Sequence, residues 1–184
     1  MITTLRRLIP GRGRDSAVRV DDPAVRELVT GLHYELIPVK SVEQAIDDLP
    51  PGANVSVTCS PAKGIPATRE ITDRLIALGH HPVPHIAARL VEGPEHTAEL
   101  AAWLRSSGVD EVFIVAGDAP EPAGPYEGAL AFLRDLVTHD HGMTAIGVTG
   151  YPDGHAMFDA AVASEQLLAM QAVLDEAGVR GWCS

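Results

Sequence analysis

One recurrence constrains this chain more than any other feature. From residue 32 onward, a short β-branched run, a polar turn and a helical stretch follow one another in fixed order. The runs are HYELIPV (33–39), NVSVTCS (54–60), HPVPHIA (81–87), EVFIVAGD (111–118) and TAIGVTGY (144–151). Their centres lie about 20 to 35 residues apart, the spacing of parallel strands joined by crossover helices. Most runs are apolar nearly throughout, which predicts strands covered on both faces.

The intervening stretches carry helix signals. Ser41 with Gln44 predicts a capping box ahead of Val42, Ala45, Ile46 and Leu49. Pro66 is placed to open the next helix, with Ile71, Leu75 and Ile76 inward and Gly79 as its stop. Leu100, Trp103 and Leu104 mark a third helix that stops at Gly108, and Leu130, Leu133, Leu136 and Val137 mark a fourth. A last helix is expected over 158–177, with Leu167, Leu168, Met170 and Leu174 as core.

A regular βα series fits an open doubly wound sheet or a barrel. No G-x-G-x-x-G follows the first run, which weakens the dinucleotide-binding open sheet. A full eight-unit barrel takes about 250 residues. With 184 residues the chain holds five complete βα units, and VRGWCS reads as the start of a sixth strand. The expectation is an α/β fold, a partial TIM-type (β/α) barrel over 32–184. Residues 1–31, basic at the start and broken by Pro10, Gly11 and Gly13, form an N-terminal arm.

Composition removes several classes of function. Lys and Arg number 14 against 25 Asp and Glu, a net charge of −11, so the chain lacks the basic excess that nucleic acid demands. No apolar run approaches the roughly 18 residues of a membrane span. Two cysteines, Cys59 and Cys183, make no disulfide framework, which points to a reduced, cytoplasmic setting. His80–His81 and His139-x-His141 have metal-ligand spacing but precede strands, so no metal is expected.

Polar side chains recur within or just after the strands, where parallel α/β folds place their sites. Glu35, between Tyr34 and Leu36, is a candidate general acid if it is desolvated; an ion pair or an exposed edge position explains it equally well. Thr58 and Cys59 end the second run, and a nucleophilic Cys59 would need a histidine partner. His85 follows Pro84, Asp118 follows Gly117, and Tyr151 and His155 frame a turn after the fifth run. Their shared position relative to five successive strands predicts one cleft.

These motifs resemble those of the methylenetetrahydrofolate reductase family. The matching segments are Tyr34-Glu35-Leu36-Ile37-Pro38, Val57-Thr58, Pro84-His85, Gly117-Asp118 and Gly150-Tyr151-Pro152-Asp153-Gly154-His155, in order from about residue 32 to residue 178. The resemblance implies a (β/α) barrel that takes hydride from NAD(P)H, through FAD, to reduce methylenetetrahydrofolate. It implies Glu35 as the acid that protonates the folate and Asp118 as the second catalytic carboxylate, set between flavin and pterin. Thr58, Cys59, His85, Ala116, Gly117, Asp118, Tyr126, Tyr151 and His155 fall at flavin-contact positions. Ala116 stands where the family has arginine, Cys59 where it has tyrosine, and Gln166 and Val173 where it has acidic and lysine contacts. FAD binding is therefore expected to be weak. The alternative is a non-catalytic folate- or flavin-binding remnant, and an open sheet edge makes a homo-oligomer plausible in either case.

Overall fold

Six short strands carry the architecture: β1 (His33–Leu36), β2 (Asn54–Val57), β3 (His81–Ala87), β4 (Glu111–Val115), β5 (Ala145–Val148) and β6 (Arg180–Cys183). Between them run α2 (Val42–Asp47), α3 (Gly64–Ala77), α4 (Pro94–Ser107), α5 (Ala129–Leu136) and α6 (Ala160–Ala177). A 3-10 turn, Ala88–Leu90, follows β3. The structure is a computed structural model, and it describes residues 23–151 and 159–184. The chain divides into a unit Met1–Leu32 and a unit His33–Ser184.

The first unit contributes one described helix, α1 (Pro23–Thr30), inside what the sequence reading took for an arm. Its signals were present: Pro23 has its torsion fixed for the first helical position, and Val25, Leu28 and Val29 share one face. Residues 1–22 of that arm lie outside the described residues.

In the second unit all strand pairs are parallel, and the sheet order is β1-β2-β3-β4-β5-β6 without reversal. The expected sixth strand exists and pairs with β5 through Ala145 opposite Arg180 and Val148 opposite Cys183. Strand register explains where the helices go. Leu36, Val55 and Val57 pack with Ile46 of α2 and Ile71 and Leu75 of α3. Ile86, Val112, Ile114, Ile146 and Val148 pack with residues of α3 to α6, among them Leu104, Phe132, Leu136 and Leu174. Successive strand side chains point to opposite faces, and these strand residues all belong to one face. The five helices α2 to α6 therefore cover the same side of the sheet.

Two local expectations need correction. Coverage on both faces holds for β3 to β5, which are buried nearly throughout, but not for β1 and β2, where His33, Glu35, Asn54 and Ser56, turned away from the helices, are exposed or half-buried. The Ser41 capping box is absent, since Ser41 makes no side-chain cap bond and its backbone is not extended as an N-cap requires. As expected, Pro66 lies in the first turn of α3, which starts at Gly64, and the last helix runs Ala160–Ala177, where the Asp159 carboxylate accepts from the Ala161 N–H at 2.7 Å. No described helix is long and apolar enough to cross a membrane.

Candidate functional site

The face of the sheet turned away from α2 to α6 holds the first site. Glu35 lies opposite Ser56 in the β1–β2 register, His85 opposite Phe113, Phe113 opposite Gly147, and Gly147 opposite Trp182. These residues share one parity, so their side chains rise from the same face. A cavity of about 230 Å³ lies there, lined by His33, Glu35, Ser56, His85, Phe113 and Trp182 together with Ser184. Residues of β1 and β6, the first and last strands, thus reach a common space.

A row of rings crosses its floor. His85 and Phe113 have ring centroids 4.9 Å apart, and Phe113 and Trp182 5.0 Å. Gly147 makes this possible, because a Cβ there would collide with both the Phe113 and Trp182 rings. Across the cavity the His33 Nε2 and the Ser56 hydroxyl hydrogen-bond at 2.9 Å. Burial pushes the His85 imidazole pKa down to about 4, with His33 as a smaller repulsive influence, so the ring is neutral at physiological pH. The Trp182 indole N–H is buried and has no partner among the described residues.

Glu35 is exposed, so of the readings open to it the solvent-facing position is the one found, and not a desolvated acid. Among the described residues lining this cavity it is the only one with an acidic side chain. The interpretation that survives is an accessible acid beside a neutral histidine and a wall of rings.

A second cavity, of about 320 Å³, opens past the carboxyl ends of β4 and β5. Ala116, Thr149 and Tyr151 form one side, Glu127 and Gly128 another, and Ala163, Gln166 and Met170 of α6 a third. Tyr151 holds a left-handed backbone torsion, φ +46°. A bulky non-glycine residue in that region costs energy and marks a place where position matters more than comfort.

The predicted residues thus divide. Glu35 and His85 share the open-face cavity, and Ala116 and Tyr151 share the other. Asp118 lines neither; it is exposed on the loop after β4. The single cleft expected for all of them is therefore two cavities and a loop. Gly117 shapes that loop with φ +90° and lies so close to β3 that an added Cβ would be 2.8 Å from that of Ala87. His155 lies outside the described residues.

Thr58, Cys59 and Tyr126 do structural work instead. The Thr58 hydroxyl donates to the Leu36 carbonyl at 3.3 Å, and its own carbonyl accepts from the Thr68 hydroxyl at 3.1 Å. Cys59 packs against the helix-side core, and burial pushes its thiol pKa up, away from the thiolate a nucleophile needs. Tyr126 is buried between α4 and α5, its hydroxyl held by Thr97 at 2.9 Å and by the Asp135 carboxylate. Burial and that carboxylate raise its pKa. A cofactor role for Tyr126 gives way to a core role because a phenol placed in a helix layer must satisfy its hydroxyl there.

Phe113, Gly147, Trp182, His33 and Ser56 were missed by the sequence reading. The signal was available in the alternation itself: Glu35, Ser56 and Phe113 occupy one parity in their strands, but an apolar-throughout reading of the fourth run hides the difference between Phe113 and its neighbours Val112 and Ile114.

The described residues of the larger cavity do not fit FAD. Glu127 is the only charged side chain among the described residues lining the larger cavity, and it is a carboxylate. A dinucleotide diphosphate needs cations or aimed N–H donors. Among the described residues, no group of three or more His, Cys, Asp or Glu side chains is placed to hold a metal ion. No protein-family model matches the chain.

Proposed function

We propose that the chain is a reductase of the methylenetetrahydrofolate reductase type, built on part of a TIM-type (β/α) barrel. The observation that carries this reading is Glu35, an accessible carboxylic residue in a cavity shared by the first and last strands, beside a neutral His85 and the Phe113–Trp182 rings. Sequential parallel strands with helices on one face support the partial barrel, since a doubly wound sheet reverses its order and carries helices on both faces.

The chemistry follows from those groups. Opening the methylene bridge of 5,10-methylenetetrahydrofolate breaks a carbon–nitrogen bond, and Glu35 delivers the proton to the departing nitrogen. The carbon left behind is an iminium cation, which accepts hydride from NAD(P)H to become a methyl group. A protonated histidine beside it would repel that developing charge. The burial that keeps His85 neutral removes the repulsion, and the ring row offers a flat edge to a pterin.

The test is steady-state reduction of methylenetetrahydrofolate by wild type and by Glu35→Gln, with and without added FAD, together with the visible spectrum of the purified chain. Loss of at least about 100-fold in turnover is expected for Glu35→Gln, the scale of a lost general acid. Equal turnover by the two proteins overturns the mechanism. The cation-free lining of the larger cavity favours a second reading, a folate-binding module without turnover, and a wild type inactive under every condition selects it.

A further inference from the structure

Arg89 holds one loop through both its side chain and its backbone. It sits in the 3-10 turn after β3, and its side chain is only 18% exposed. Nε donates to the Ala119 carbonyl at 2.7 Å and Nη2 to the Pro120 carbonyl at 2.8 Å. Nη1 donates to the Glu127 carbonyl and carboxylate, both at 3.1 Å. Its backbone joins in: the Arg89 N–H donates to Ala116 at 3.0 Å, and its carbonyl accepts from Ala123 at 2.8 Å. Five residues spread over 116–127 are thereby tied to one side chain and one peptide.

Two glycines show how closely the same loop is pressed onto the chain after β3. Gly117 has no room for a Cβ beside Ala87, and Gly124 has none beside the Val91 and Glu92 carbonyl oxygens. The loop begins at Ala116, carries Asp118, and ends at Glu127 and Gly128, so its two ends are walls of the larger cavity. Holding carbonyls at three separate points takes the planar fork of a guanidinium; an ammonium cannot span them.

We infer that Arg89 is a positioning residue that sets the 116–128 loop, and through it the place of the Asp118 carboxylate and the width of the larger cavity. The Asp118 part rests on the second catalytic carboxylate that the proposed reductase function implies, whereas the loop part does not. The guanidinium acts through carbonyl oxygens, with the Glu127 carboxylate as a minor partner, because that carboxylate is 82% exposed and an exposed ion pair adds little.

The experiment has two arms. In the first, amide hydrogen exchange is followed over 116–128 in wild type, Arg89→Met, Arg89→Lys and Glu127→Gln, all in the full chain. Arg89→Met is expected to speed exchange of the Ala123 amide and its neighbours at least tenfold, Arg89→Lys to restore little of the protection, and Glu127→Gln to change it less than threefold. Exchange unchanged in Arg89→Met, with the protein still folded by circular dichroism, overturns the inference. So does full rescue by lysine.

The second arm is a double-mutant cycle of Arg89→Met with Asp118→Asn on kcat and KM. If Arg89 acts through Asp118, the arginine change lowers kcat in wild type and has little further effect once Asp118 is gone. Multiplying effects overturn the coupling to Asp118. A wild type without turnover, combined with a loosened loop in Arg89→Met, removes the proposed function and the coupling with it but leaves the positioning of the loop and the cavity wall supported.

Discussion

On the face covered by α2 to α6, the strands present Leu36, Val55, Val57, Ile86, Val112, Ile114, Ile146 and Val148; one residue along the same strands, the other face presents Glu35, Ser56, His85, Phe113 and Gly147. The first set is β-branched or aliphatic and closely covered. The second mixes polar and aromatic side chains with small or buried ones, Val83, Ala87, Ala145 and Gly147. The difference separates two tasks along a single backbone: one parity holds the unit together by removing apolar surface from water, and the other is free to carry chemistry. The row His85–Phe113–Trp182 is where the tasks meet, because its rings bury each other while bordering the polar cavity.

Substitutions that respect or violate this division should differ in size, and denaturant unfolding monitored by circular dichroism measures them all. The largest loss is expected on the covered side. Phe132 is fully buried against the sheet, and Phe132→Ala should cost about 3–5 kcal/mol. A stability within 1 kcal/mol of wild type would mean that the helix layer does not bear on the sheet as described.

Gly147→Ala comes next and is the sharpest challenge to the comparison, because it adds one methyl group to the open face. That methyl would meet Phe113 and Trp182, so a loss of about 1–3 kcal/mol is expected, accompanied by a changed near-ultraviolet spectrum as the indole is displaced. A neutral result would show that the rings are loosely held.

The third effect depends on pH. The folded-state pKa of His85 is about 4, below its ordinary 6.5, so between these values the unfolded chain binds a proton that the folded chain does not. The contribution is complete above about pH 6.5 and is lost as pH falls toward 4. In His85→Gln the loss of stability between pH 7 and pH 4 should shrink by about 1–2 kcal/mol, allowing for partial solvent access. An unaltered pH dependence would show that the imidazole is not desolvated.

The smallest change in stability belongs to Glu35→Gln, expected within about 0.5 kcal/mol of wild type because the side chain is exposed on the open face. The same substitution is the one expected to abolish turnover. A large destabilisation would instead assign Glu35 a structural part.

Much of this division was legible from sequence. The βα period located all six strands to within a few residues, because crossover helices leave an apolar run, a turn and a stripe that recur at fixed spacing. Glu35 and His85 were found because polar groups inside apolar runs stand out. Residues of ordinary type were not found. Arg89 follows a strand in a sequence that reads as helix entry, and nothing in the residue order reveals that a loop about 30 positions later folds back onto its guanidinium. Phe113 and Trp182 have no marker in the residue order; only the register across β5 shows that Gly147 leaves room for both. Tyr126 failed in the opposite direction, since a tyrosine at a matching position can spend its hydroxyl on Asp135 just as well as on a ligand.

Because each strand pairs with the strand that precedes it in the chain, no element has to wait for a distant partner before it can dock. Loop closure in such an array is short at every step, and an array of this kind can grow by accretion, each βα unit adding to a surface already formed. A chain emerging from synthesis would therefore assemble β1 to β3 on α2 and α3 before β6 exists, with the β1–β2 cluster around Leu75 complete early. Pulse-labelled exchange during refolding should show protection in that order.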